Sequence, residues 1–179
     1  MLAIYSGSAE LARWFVDRGA PVSFPEACAL GDLARVRELH AAGPALLEVR
    51  TPDGFTPLTL AIFFRHPHVA RYLIEQGADV NAAAENDLRI APVHSAAAIC
   101  DRDTMQLLLA RGADVHARQQ ADYTPLHGAA SRGDIEMAKL LLENGADRNA
   151  RGTDGLTPAD TARKYGKGEF AEWLGGLSP

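Results

Sequence analysis

Two short motifs recur along this 179-residue chain with one shared period. Thr56-Pro57-Leu58 returns as Ala91-Pro92-Val93, Thr124-Pro125-Leu126 and Thr157-Pro158-Ala159, at steps of 35, 33 and 33 residues. Gly77-Ala78-Asp79 returns as Gly112-Ala113-Asp114 and Gly145-Ala146-Asp147, at steps of 35 and 33. Because both motifs carry the same two-residue insertion, they mark one repeating unit. A period of this size points to a stack of supersecondary units, none of which buries its apolar face alone.

Between the motifs each unit reads as two short helices. The first follows Thr-Pro, with a threonine able to cap and a proline whose missing N–H is harmless at the first helical position. It carries paired small residues, as in Ala96-Ala97 and Ala129-Ala130. The second is apolar at helical spacing: Val69, Tyr72 and Leu73; Met105, Leu108 and Leu109; Met137, Leu140 and Leu141. Gly77, Gly112 and Gly145 end it, where the left-handed position after a helix favours a residue without Cβ. Composition agrees. There are 32 Ala and 21 Leu but only 12 aromatic residues, a mixture suited to close helix packing rather than to sheets.

The pattern Tyr123-Thr124-Pro125-Leu126-His127-Gly128-Ala129-Ala130, followed by Leu140-Leu141-Leu142-Glu143-Asn144-Gly145-Ala146-Asp147-Arg148-Asn149, resembles the ankyrin repeat family. The resemblance extends over almost the whole chain. It implies an all-α repeat solenoid of stacked helix pairs whose connections project as short β-hairpin fingers. The expected organisation is a single array over 1–179, with units near 1–21 (partial), 22–54, 55–89, 90–122, 123–155 and a C-terminal cap at 156–179. In the second unit Ala27, Ala29, Gly31, Leu33, Val36 and Leu39 stand in register.

Three departures from the period carry expectations. Only 24 residues separate Gly19 from Gly43, so a finger is missing between the first two units. The 35-residue step predicts a longer finger around Ala82 to Ile90, with Arg89 where Gly54 and Gly155 stand. Ala91 replaces the capping threonine there, a loss of about 1 kcal/mol unless something compensates. At the C-terminal end, Asp160, Arg163, Lys164, Lys167, Glu169 and Glu172 supply a polar outer face, while Phe170, Trp173 and Leu174 turn inward. The N-terminal end lacks a Thr-Pro-Leu signal. Leu2, Ile4, Tyr5, Leu11 and Phe15 are therefore candidates for an apolar edge that another copy could cover, giving a homodimer.

The chemistry-bearing residues read as structural. The resemblance implies that His94 and His127 hydrogen-bond between neighbouring loops. His66 and His68 are two apart, diverge on a helix and read as a solvated helix start; His40 and His116 are isolated. Cys28 and Cys100 form neither a metal spacing nor a disulfide framework, and fit a reducing, cytoplasmic setting. No nucleophile–base set, metal motif or phosphate-cradling loop occurs, so no enzyme activity, metal or cofactor is expected. A net charge of −5 argues against general nucleic-acid binding, and no run approaches the roughly 20 apolar residues that span a bilayer.

What the repeat leaves free is surface. The resemblance implies a non-enzymatic protein-binding module contacting an unidentified protein through finger tips and the concave face of the first helices. The free first-helix positions are Phe63, Phe64, Ala98, Ile99, Ser131, Arg132, Lys164 and Tyr165. Read across the finger tips and these first-helix positions, Phe55, Phe63, Phe64, Leu88, Ile90, Ile99, Tyr123 and Arg132 are the partner-binding candidates, and aromatic and arginine side chains carry much of the energy in interfaces. Phe55, Ile90 and Tyr123 share one repeated position with Leu156 and also suit finger-on-finger packing. The alternative function is self-association through the N-terminal edge.

Overall fold

A computed structural model describes Arg18 and residues 21–177. Ten α-helices form among them: α1 (Phe24–Leu30), α2 (Leu33–Ala42), α3 (Pro57–Phe63), α4 (Pro67–Glu75), α5 (Pro92–Ile99), α6 (Arg102–Ala110), α7 (Pro125–Arg132), α8 (Ile135–Glu143), α9 (Pro158–Lys164) and α10 (Gly168–Gly176). Short 3-10 turns occupy Pro44–Glu48 and Gln120–Asp122. The chain divides into two compact units at Asp79 and Val80. The residues expected to form the partial first unit lie almost wholly outside the described chain.

Each helix pair follows one local rule. A proline opens the first helix of every pair, at its first or second position. That helix ends on a left-handed residue, which is Gly31, Gly133 or Gly166 in three pairs and Arg65 or Cys100 in the other two. An aspartate then caps the second helix in three pairs: Asp32 accepts from the Arg35 N–H, Asp101 from Thr104 and Asp134 from Met137. Gly77, Gly112 and Gly145 close the second helices at φ 94°, 83° and 91°. A Cβ at these three glycines would meet nothing, so backbone conformation rather than space selects them.

In the first unit α1 packs on α3, and α2 on α4. In the second, α5, α7 and α9 pack in series as first helices, with α6, α8 and α10 behind them. The core is made where the sequence pattern puts it: Val69, Leu73, Met105, Leu108, Met137 and Leu141 are all buried, and Tyr72, Leu109 and Leu140 are partly so. Small residues fill the first-helix row, with Ala27, Ala61, Ala96, Ala97, Ala129, Ala130 and Ala162 fully buried. Phe170 and Leu174 of α10 are buried and Trp173 half-buried, while Arg163, Lys164, Lys167, Glu169 and Glu172 face solvent.

The described residues contain no strand, so β-hairpin fingers are not shown. Each finger is instead a turn closed by one backbone bond: Thr51 N–H to Phe55 carbonyl, Ala84 to Ile90, Gln119 to Tyr123 and Gly152 to Leu156. Five residues span the closing bond in three of these and seven in Ala84–Ile90, which places the two-residue insertion at that finger's tip. Adjacent fingers are tied by Gln120 N–H to Leu88 carbonyl at 2.8 Å and Thr153 N–H to Ala121 carbonyl at 2.9 Å. These loops are too short for a ladder of paired strands.

Candidate functional site

The last turns of the first helices are the natural place to look, since the second helices cover their opposite side. In the first unit, Phe63 ends α3 and Phe64 follows it. Their rings meet edge to face at 5.2 Å, but their surroundings differ. Phe64, with Phe55 and Val22, packs against buried Ala29, Leu30 and Leu60. Phe63 is 52% exposed. Of the three phenylalanines proposed from sequence in this unit, two are therefore brought onto the core and one stands outside it.

In the second unit the five other candidates separate in the same way. Tyr123 is half-buried, its ring stacked on His127 at 4.6 Å and 8° and its hydroxyl donating to Asp154 at 2.7 Å. Burial, then the accepting carboxylate of Asp154, raises that phenol to about 12. Ile90 and Ile99 are half-buried. Leu88, at the tip of the long finger, is 39% exposed. Arg132, the last residue of α7, is exposed and lines a groove of about 330 Å³ with Ala98, Gln119, Gly128, Ser131 and Tyr165. Leu88, Ile90, Ile99 and Tyr123 do not line it.

Tyr165, 55% exposed, completes the set of large exposed hydrophobic side chains with Phe63 and Leu88 among the described residues. The sequence marks its position as free but gives no reason to prefer it. Like Phe63, it stands at the C-terminal end of a first helix. The self-association candidates Leu2, Ile4, Tyr5, Leu11 and Phe15 lie outside the described residues, as does the expected joint without a finger near Gly19.

The histidines act as bolts between loops. His94 Nδ1 accepts the Ala91 N–H at 3.2 Å, which leaves Nε2 to donate to the Ala117 carbonyl at 3.0 Å. His127 repeats this between the Thr124 N–H at 3.1 Å and the Leu156 carbonyl at 3.1 Å. Both are thereby fixed as the neutral tautomer with the proton on Nε2. Burial pulls His94 down to about 4, against the Ala117 carbonyl that would favour the cation, and lowers His127 too.

Two readings of the other histidines need correction. His66 is not a solvated helix start: its ring is partly buried and its Nε2 lies 3.0 Å from the Ala29 carbonyl, linking α4 to α1. The Cβ that Gly31 lacks would collide with that ring, a close approach invisible in local sequence. His40 is not isolated either, since its Nδ1 lies 2.9 Å from the Tyr72 hydroxyl across α2 and α4. His68 is exposed, as expected.

Neither cysteine is an activated thiol. Cys28 is buried in α1, and burial pushes its thiol far up. Cys100 is exposed, but burial of its sulfur and then the Asp134 carboxylate raise its pKa, the opposite of an activated thiolate. Asp101 caps α6 and Asp103 sits in its first turn, as a helix start requires. No group of three or more His, Cys, Asp or Glu side chains is placed to hold a metal among the described residues. No helix among them is long and apolar enough to cross a membrane.

Comparison with known families gives two matches. Residues 53–85 match the pattern described as "Ankyrin repeat", and residues 108–162 that described as "Ankyrin repeats (many copies)". No curated protein matches the chain. The aspartate cap and the left-handed turn before it recur outside both matched stretches, at Gly31-Asp32 and Cys100-Asp101. With the family pattern carried in two places and its local geometry repeated between and before them, the chain belongs to the ankyrin repeat family.

Proposed function

We propose that this chain is a non-enzymatic module that binds a partner protein through its finger tips and the ends of its first helices. Ankyrin repeats are generally protein–protein interaction modules. One observation carries the assignment of these positions. The large hydrophobic side chains exposed among the described residues, Phe63, Leu88 and Tyr165, fall on a finger tip and on first-helix ends, and none on a second helix. Exposed aromatic side chains beside an arginine are the residue types that dominate interface energies. A preformed helical surface spends little ordering free energy on association. The free cysteines Cys28 and Cys100 favour a reducing compartment, and we place the module in the cytoplasm.

Site-specific photocrosslinking tests this directly. A benzophenone side chain at position 63, 88 or 165 is expected to trap a protein in the native cell extract. The same group at Glu75 or Glu143, exposed on second helices, is expected to trap little. Equal trapping at both sets, or trapping on the second helices alone, overturns the surface.

A further inference from the structure

The groove in the second unit has a chemical character that the proposed binding positions as a whole do not. Its floor is small, Ala98 and Gly128. A glycine inside a helix costs about 1 kcal/mol relative to alanine, and the helical backbone at Gly128 does not require one. Its absent Cβ would stand 3.3 Å from the Ala97 Cβ, so the residue also keeps α5 and α7 close. Gln119 and Arg132 also line the groove. Neither side chain has a hydrogen bond or ion pair among the described residues. Tyr165 presents an exposed ring at the far wall.

The carboxylates of the neighbouring segments each have a partner, although one oxygen of Asp134, Oδ2, is buried without one. Asp122 pairs with Arg89 at 3.1 Å, and Asp134 with Arg102 at 3.0 Å while also capping α8. Asp154 accepts from the Tyr123 hydroxyl, with Lys164 at 3.8 Å. Among the described residues Arg132 has no hydrogen bond or ion pair; Asp134, two residues on, meets Arg102 through Oδ1, and its buried Oδ2 has no hydrogen-bond partner. His94, on the same groove, is held neutral near physiological pH.

We infer that this groove receives an extended segment of the partner protein and seats an Asp or Glu side chain of that segment on Arg132. Gln119 offers one donor and one acceptor, the pair that a peptide unit requires, and the Ala98–Gly128 floor lets a main chain approach closely. An arginine–carboxylate pair adds direction as well as attraction through two parallel N–H···O bonds. The inference rests on the binding role proposed above and specifies which segment chemistry one of those places takes.

The test uses random heptapeptides displayed on phage with a free N-terminus and a fused C-terminus, selected on the immobilised full chain. Enrichment of Asp or Glu at one position is expected, with affinity lower by about tenfold or more on Arg132→Gln. Arg132→Glu is expected to replace that preference by Lys or Arg. Arg132→Gln should unfold close to the wild-type temperature. Arg132→Glu, which sets a carboxylate against the C-terminal end of α7, should be modestly less stable and is read by its peptide preference at a temperature where it is folded. Selection without acidic enrichment, or acidic peptides that bind Arg132→Gln equally well, overturns the inference. Peptides that ignore Arg132 but are lost on Phe63→Ser overturn it while leaving the binding role standing. Recovery of no peptide overturns it as well, and the crosslinking experiment then judges the wider proposal on its own.

Discussion

The finger Ala84–Ile90 and the finger Gln119–Tyr123 belong to the same unit and solve one problem with different residues. Both close with a single backbone bond, and both precede a helix whose third residue is a histidine. The second has five residues and is followed by a threonine at the N-cap position. Its Thr124 hydroxyl lies 2.9 Å from His127 Nδ1. The first has seven residues, a left-handed arginine at φ 51° and an alanine in place of the cap. Yet in both the histidine Nδ1 accepts the N-cap N–H and Nε2 reaches a carbonyl of the next loop, Ala117 just before the finger in one case and Leu156 at the finger's end in the other. In the longer finger, Arg89 adds bonds to the Gln119 carbonyl and to Asp122, each at 3.1 Å. The comparison teaches that the histidine bridge is the fixed element, whereas the capping hydroxyl and the turn glycine are replaceable.

The sharpest way to break that equivalence is to remove a bridge. His127→Leu leaves the buried Thr124 N–H without its partner and the Leu156 carbonyl with only the Gly152 N–H, and should destabilise the chain by about 1–3 kcal/mol in urea unfolding. His94→Leu should do the same at the longer finger. A loss below about 1 kcal/mol at either would show that the bridge is not what holds the two fingers alike.

Acid should break both bridges together. A histidine whose folded pKa lies below its unfolded value keeps its full contribution above the unfolded value and loses it as pH falls. For His94 the window runs from 6.5 down to about 4. Across it the contribution lost is on the order of 3 kcal/mol. Stability measured by denaturant titration should fall through that window, and His94→Leu should flatten the fall. A profile unchanged by the substitution would locate the titration elsewhere.

Smaller effects should distinguish the fingers rather than unite them. Arg89→Ala removes two exposed bonds while keeping a left-handed non-glycine residue, and should cost about 1 kcal/mol. Its counterpart in the five-residue finger, Asp122, shares only one of those bonds. Ala91→Thr restores the missing cap and should stabilise by about 0.5–1 kcal/mol, read as a raised midpoint in thermal unfolding. No gain would mean that the His94 bond to the Ala91 N–H already satisfies that helix start.

Much of this was legible from spacing. A proline, a capping threonine or aspartate and a left-handed glycine act within a few residues, so Thr56, Asp101 and Gly145 declare their geometry locally. The two-residue insertion was legible for the same reason, because every later motif shifts with it. His66 and His40 were misread because their partners, Ala29 and Tyr72, lie 37 and 32 residues away in the chain. Within the candidate site, Phe63 and Phe64 are neighbours of one residue type, and no local pattern tells which one the core of Ala29, Leu30 and Leu60 takes up.

The sequence by itself determined the helix pairs, their period and the family, because each rests on short-range bonds that repeat wherever the residues repeat. The tertiary structure decided which side chains are left over. Phe55 and Phe64 pack while Phe63 does not, and among the described residues Arg102, not Arg132, pairs with Asp134. A leftover surface is a difference between what the chain offers and what its neighbours use, and that difference exists only once the neighbours are in place.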